Sequence, residues 1–348
     1  MKQRYTNIDL LRITASFMVL FLHVAWAPYN VPIDSMAGIM SNFGQSATRS
    51  CVPLFVMISG MLIMQREELS LKKLFLKSIP RLVWIHILWT VLYTVHDMGH
   101  FDLLRNFDPV AFLKEAWQWG VGVHMWYLPM IIGIYLLSPV LHAIRDKQKV
   151  LKYTIYLFIA LCVLRSTLAA FPLTYPLAEL MTRYSFPMAV YSGYFILGYV
   201  LSTNQDKIKI KSVVLIIVLV AICLLTGLII HLRSLTEEDV VLGLYDNFFI
   251  STFLEACIIF LLFLRIPSQK IDATWNKTGW VQKVSKYTLF TYLLHPFVVQ
   301  HLQWDLNISS VTVNALLYVP VASVVIFVFC LGVAYVIDLI PGVRKILL

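Results

Sequence analysis

The chain has 348 residues, of which 59% are apolar and only 14% charged. A soluble domain carries about a quarter charged residues, so this balance, with a mean hydropathy of +0.77, excludes an ordinary water-soluble globule and marks an integral membrane protein. The formal net charge of +9 would point to nucleic acid in a soluble chain. Here the retention of basic residues on the cytoplasmic side is a sufficient cause, and no nucleic-acid partner is expected.

A bilayer-spanning helix needs about 20 mostly apolar residues. In chain order, candidates fall near 8–27, 47–64, 75–96, 124–142, 151–171, 183–202, 212–231, 247–264, 286–302 and 312–337. The first is read as a retained helix rather than a cleaved leader, because Asp9 and Arg12 interrupt its apolar run and Pro28 would follow the Ala25-Trp26-Ala27 site. With the N-terminus placed inside, the cytoplasmic segments hold 20 basic residues and the outer loops three, Arg105, Lys114 and Arg233. That asymmetry predicts an all-α polytopic fold of about ten transmembrane helices with both termini cytoplasmic. The longest connection, 97–123, carries Trp117 and Trp119, which suit an interfacial aromatic belt. Residues 1–348 are expected to form a single transmembrane domain with no appended soluble domain.

The five cysteines lie in apolar runs without a C-x-x-C pair, so they read as small buried residues. Neither a His-Glu-x-x-His zinc pattern nor a Walker A loop is present, and no metal is expected.

Five arginines remain at expected membrane depth: Arg12, Arg49, Arg81, Arg165 and Arg183. Few acids accompany them, and buried cations need a partner, so an anionic ligand is expected. Arginine grips phosphate through a two-pronged fork, which makes phosphate the natural anion. In the first span, Arg12 and His23 are eleven residues apart. At 100° per residue that is about 20° from eclipsed, with roughly 16 Å of rise between them. Asp9 and Ser16 share this face, and Asp9 can orient Arg12 at i,i+3. Such a stripe suits a long anionic donor that enters from the cytoplasm, rests its phosphates at Arg12 and extends its reactive end toward His23. Histidine titrates nearest neutrality, so His23 is the candidate general base. Plainer readings stand beside these: Arg12 snorkelling at the inner interface, and His23 as an interhelical hydrogen-bonder.

Further elements follow along the chain. Arg12-x10-His23, preceded by Asp9, lies in the first helix. PLFVMISG, with Pro53, Phe55, Ser59 and Gly60, lies in the second. HMWYLP, with Trp126, opens the fourth, and TLFTYLLHP, with Tyr292, His295 and Pro296, lies in the ninth. In order and topology these motifs resemble the acyltransferase 3 family, membrane O-acyltransferases of bacterial surface glycans, over nearly the whole chain. The third helix departs from the family's Arg-Arg-x-x-Arg: the segment is KSIPR, in which Lys77 and Arg81 match and Ser78 replaces the middle arginine, so Lys73 is a candidate substitute.

The resemblance implies an acyl-coenzyme A donor, usually acetyl-CoA, used from the cytoplasmic side of a bacterial inner membrane, and a sugar-hydroxyl acceptor on a lipid-linked or surface glycan. It assigns Arg12, Lys77 and Arg81, with Lys73, to the coenzyme phosphates, and Ser59-Gly60, near the cytoplasmic end of span two, is a candidate for close backbone approach to the bound donor, for which plain helix packing is an equal alternative. Arg49, His124 and Trp126 are candidates for the acceptor side, and His295 for support of the site or an interhelical bond. Arg165 and Arg183 are unplaced; pairing with Glu179 or Glu255 is one option. Membrane lipid is the expected surrounding partner, and a homo-oligomer is left open. The rival class is a transporter or flippase, to which intramembrane arginines and prolines such as Pro53, Pro187, Pro296 and Pro320 also belong.

Overall fold

The structure, a computed structural model, describes residues 5–26, 31–97, 110, 124–182, 190–237 and 242–347. Arg183, Pro187, Trp117 and Trp119 lie outside them. Every regular element among the described residues is helical. Seven helical runs are long and apolar enough to cross a bilayer: Thr6–Ala25, Met36–Met64, Leu71–Val95, Gln148–Ala169, Ser212–Thr236, Gly243–Leu264 and Ala315–Asp338. The protein is therefore a polytopic all-helical membrane protein. Three expected spans correspond to helices that are shorter or more polar than these, at Tyr127–Ala143, Ser192–Asn204 and Trp280–Gln300.

The first helix, α1 (Thr6–Ala25), enters the bundle through a polar clasp. Thr6 Oγ1 donates to the Asp272 carboxylate at 3.0 Å and accepts from Gln282 Nε2 at 2.8 Å. Asn7 Nδ2 donates to the Phe263 carbonyl at 3.0 Å, and Ser268 Oγ donates to Asn7 Oδ1 at 2.9 Å. These bonds satisfy groups at the start of α1 that have no partner within the helix. They also fix where α1 begins relative to the helices that follow.

Residues 36–46, expected as part of an outer loop, instead lie in a helix, α2 (Met36–Thr48), which leads into α3 (Cys51–Met64). The break at Arg49-Ser50 has a local cause. Pro53 has no N–H to donate to the Arg49 carbonyl four residues back, and its ring crowds that carbonyl. Arg49 therefore sits at the joint of a broken helix rather than at the head of a span. The sequence of α2 is rich in small residues, and packing stabilises it: Ser35 Oγ caps Gly38 N–H at 3.0 Å, and Asn42 Nδ2 donates to the Gly227 carbonyl at 2.8 Å.

The third span carries a π-helical stretch, Leu74–Ser78, before α4 (Ile79–Asp97). Then come α5 (Tyr127–Ala143), α6 (Gln148–Phe158), α7 (Tyr175–Thr182), α8 (Ser192–Asn204), α9 (Ser212–Glu237), α10 (Ile250–Leu264), α11 (Ser268–Thr274), α12 (Trp280–Gln300) and α13 (Ala315–Asp338). The main buried cluster draws Leu11 from α1, Met57 from α3, Phe195 from α8, Phe260 from α10 and Leu293 from α12. By contrast α9 exposes Ile217, Val220 and Leu224, an apolar surface that lipid covers.

Two helix pairs set the frame. At the α3/α8 crossing, a Cβ added at Gly60 would fall 1.8 Å from the Phe195 carbonyl oxygen, and one at Gly198 would fall 2.1 Å from that of Met57. The backbones touch because neither position carries a side chain. Gln65 Nε2 donates to Ser202 Oγ at 2.9 Å further along, so the two helices run parallel. The second pair, α1 and α12, also runs parallel and carries the candidate site.

Candidate functional site

The polar stripe of α1 faces a matching stripe on α12. Near the first turn, Arg12 Nη1 donates to Asp9 Oδ1 at 3.0 Å and to Ser285 Oγ at 3.0 Å, while Ser285 Oγ donates to the same Asp9 oxygen at 2.8 Å. The pair expected at i,i+3 is present, and a serine from the facing helix closes it into a triangle. The Arg12 side chain keeps 28% exposure, so it is held in direction without being sealed off. One turn on, Ser16 Oγ donates to the Thr288 carbonyl at 3.4 Å. At the far end His23 meets His295, with His23 Nδ1 and His295 Nε2 3.2 Å apart. Ascending α1 through residues 9, 12, 16 and 23 thus ascends α12 through 285, 288 and 295, which is the parallel arrangement.

His23 is half-buried, and both histidines beside it are buried. The rings of His23 and His295 are 5.0 Å apart between centroids, those of His23 and His124 6.5 Å, and those of His124 and His295 5.9 Å. Tyr93 and Tyr292 wall in His124 at 5.0 and 5.4 Å. Both phenols are spent on backbone: Tyr93 Oη donates to the Leu293 carbonyl at 2.8 Å, and Tyr292 Oη to the carbonyl of His124. Tyr93 also stacks on Phe297 at 3.9 Å. His23 alone of the three imidazoles presents a partly open surface, and the others lie behind it. Among the described residues no group of three or more His, Cys, Asp or Glu is placed to hold a metal ion.

The remaining candidates separate into distinct places. Lys73, Lys77 and Arg81 are exposed at the start of the third span. Ser59 Oγ donates back to the Phe55 carbonyl of its own helix at 3.0 Å, and Gly60 abuts Phe195 at the α3/α8 contact. Arg49 lies over the Tyr245 ring at 5.0 Å from its centroid, a cation–π contact, and Tyr245 Oη donates to Asn42 Oδ1 at 2.8 Å. Trp126 packs against Tyr191 at 5.8 Å. Arg165 opens a short helix, Arg165–Ala169. Glu255 is buried on α10, and no nitrogen or oxygen donor among the described residues reaches its carboxylate, so the pair considered with Arg165 is not formed, while the one considered with Arg183 lies outside the described residues.

Ser285, Thr288 and the clasp around Thr6 were not singled out from the sequence. A signal for the first two was available: Ser285, Thr288 and His295 recur at steps of three and seven, the same one-face spacing that marks α1. The clasp had no such signal, because its members come from segments far apart in sequence.

The fold and the seam define a polytopic helical membrane protein that carries an arginine and a histidine along one helix–helix contact. The chain belongs to the acyltransferase 3 family, whose model, described as an acyltransferase domain, matches residues 5–335. A relative named "Amino-acid racemase" from Enterococcus faecalis is 24% identical over 313 residues, covering 86% of this chain and 42% of the relative. A second, "Putative acetyltransferase ORF330" of Acidianus two-tailed virus, is 28% identical over 169 residues, covering 45% of this chain and 49% of that protein. The chain thus spans about half the length, or less, of these curated relatives. No solved structure matches.

Proposed function

We propose that the protein transfers an acyl group, acetyl in the first instance, from cytoplasmic acyl-coenzyme A to a hydroxyl of a glycan or lipid-linked sugar at the outer side of a bacterial inner membrane. The observation that carries this is the seam: in a chain of an acyltransferase family, Arg12 and His23 lie on one face of α1, and both meet α12. Arg12, held in direction by Asp9 and Ser285, offers charge to the donor's phosphates, and the exposed Lys73, Lys77 and Arg81 add to the cationic field on that side. His23, roughly 16 Å further along the axis, takes the proton from the acceptor hydroxyl as its oxygen attacks the thioester carbon. The carbon–sulfur bond then breaks and the thiolate recovers that proton, giving an ester and free coenzyme A. About ten spans with both termini cytoplasmic fit this polarity, and the two parallel helix pairs agree with the alternation that ten spans require. The acyl donor is a substrate here, and no metal takes part in this scheme.

The test is a reconstituted assay with labelled acetyl-coenzyme A and a glycan acceptor. Covalent label transfer that disappears in His23→Ala, with the variant still monodisperse in detergent, supports the reading. One second reading is a transporter or flippase that exports a glycan or imports a small polar solute, to which arginines at membrane depth and prolines inside helices, such as Pro296 and Pro320, also belong. Solute movement across liposomes without coenzyme A, and without covalent transfer, would select that reading instead.

A further inference from the structure

We propose that His295 is a positioning residue for His23, fixing its tautomer and carrying part of its positive charge when it is protonated; this rests on the acyl-transfer reading. The argument begins with two backbone carbonyls. His23 Nδ1 lies 2.8 Å from the Val19 carbonyl, and His295 Nδ1 lies 3.1 Å from that of Thr291, each four residues earlier on its own helix. A carbonyl oxygen only accepts, so each Nδ1 carries a hydrogen. Moving both hydrogens to Nε2 would set two nitrogen lone pairs against two carbonyl oxygens in a buried seam, where unmet polar contacts are costly.

With the Nδ1 hydrogens placed, the rest follows. His295 Nε2 is a bare lone pair, 3.2 Å from His23 Nδ1, so the His23 Nδ1–H is shared between the Val19 carbonyl and the His295 ring. His23 Nε2 is then the bare nitrogen, and it belongs to the one partly open ring of the three. The base is therefore Nε2 and not Nδ1. When Nε2 takes the acceptor's proton, His23 becomes an imidazolium whose Nδ1–H already points at a neutral imidazole, and the hydrogen bond strengthens as charge develops. His295 is itself buried with 0% exposure. It cannot touch substrate in this arrangement and acts only through His23. The proton count stays closed: the hydrogen on Nδ1 remains between the rings, and only the one on Nε2 is exchanged with substrate.

Two variants and one spectrum test this. His295→Leu removes the acceptor, while His295→Gln returns an oxygen near the place of Nε2. The expected result is a fall in kcat of about 10- to 100-fold in the leucine variant, the scale of a hydrogen bond to a charged group. Its KM for acetyl-coenzyme A should stay within about two-fold of wild type, and the glutamine variant should recover most of the loss. A purely packing role would instead lower both variants alike, or would change folded yield without separating kcat from KM; either result overturns the proposal. Independently of turnover, nitrogen-15 histidine spectra of the full-length protein should show both rings as Nδ1–H tautomers, with a coupling across the His23 Nδ1 to His295 Nε2 contact. An Nε2–H tautomer at His23 overturns the proposal. A preserved coupling in a protein that transfers no acyl group would leave the pair standing and remove the acyl-transfer reading.

Discussion

The two parallel helix pairs solve opposite problems. Along α3 and α8, glycines bring the backbones into contact. Along α1 and α12, polar groups fasten the helices at three levels: side chain to side chain at Arg12–Ser285 and His23–His295, and side chain to backbone at Ser16–Thr288. Gly60 belongs to the first pair, and Ser285 with the Thr288 carbonyl belongs to the second. In a membrane, where lipid is as apolar as leucine, close contact and polar bonding are the two available ways to fasten helices. Only the second leaves chemistry exposed.

The largest effect is expected at the open end of the polar seam. His23→Ala should cut acyl transfer by about 10³-fold, the scale of a general base, with no loss of folded protein. A scanning comparison of turnover and detergent-solubilised yield checks this. At the glycine crossing the opposite pattern is expected. Gly60→Leu or Gly198→Leu places side-chain atoms where a backbone carbonyl already stands, so the cost should reach about 3 kcal/mol, read as a lowered unfolding temperature and a lower folded yield. The molecules that do fold should retain their turnover per active site.

Returning to the seam, Arg12→Ala should raise the KM for acetyl-coenzyme A by about 10-fold or more while moving kcat less, since the lost contact is a charge-assisted one. Lys77→Ala and Arg81→Ala should each raise that KM by only about two- to five-fold. Their effect should shrink in high salt, because exposed charges are screened beyond about 10 Å at 0.1 M ionic strength. Equal salt sensitivity at Arg12 and Arg81 would erase the distinction between a held guanidinium and a diffuse field. Smallest of all, Ser285→Ala removes one neutral donor from the Asp9–Arg12 triangle and should cost donor binding no more than about three-fold. A larger loss would make the serine a principal part of the site.

Much of this architecture was legible before any coordinates. The spans at α1, α9, α10 and α13 announce themselves through long apolar runs, and the one-face spacing of Asp9, Arg12, Ser16 and His23 follows from the helical repeat alone. The helix α2 was not legible, because MAGIMSNFGQSAT carries two glycines and several small polar residues and has no apolar run of spanning length. Its helicity depends on neighbours: Gly44 lies against Phe21 and Ala25, and Asn42 bonds to the Gly227 carbonyl. The joint at Arg49 needed only Pro53 to be foreseen, yet it has meaning only once α2 is known to precede it.

The sequence by itself determined that this chain lives in a membrane, which helix carries an arginine and a histidine on one face, and which family it joins, because hydropathy, helical periodicity and motif order are properties of the chain read one segment at a time. Tertiary structure decided what that face meets. Nothing local to residues 6–25 specifies that Ser285 completes the Arg12 contact or that His295 backs His23, since partners some 270 residues away in sequence are chosen by how the helices pack and in which direction they run.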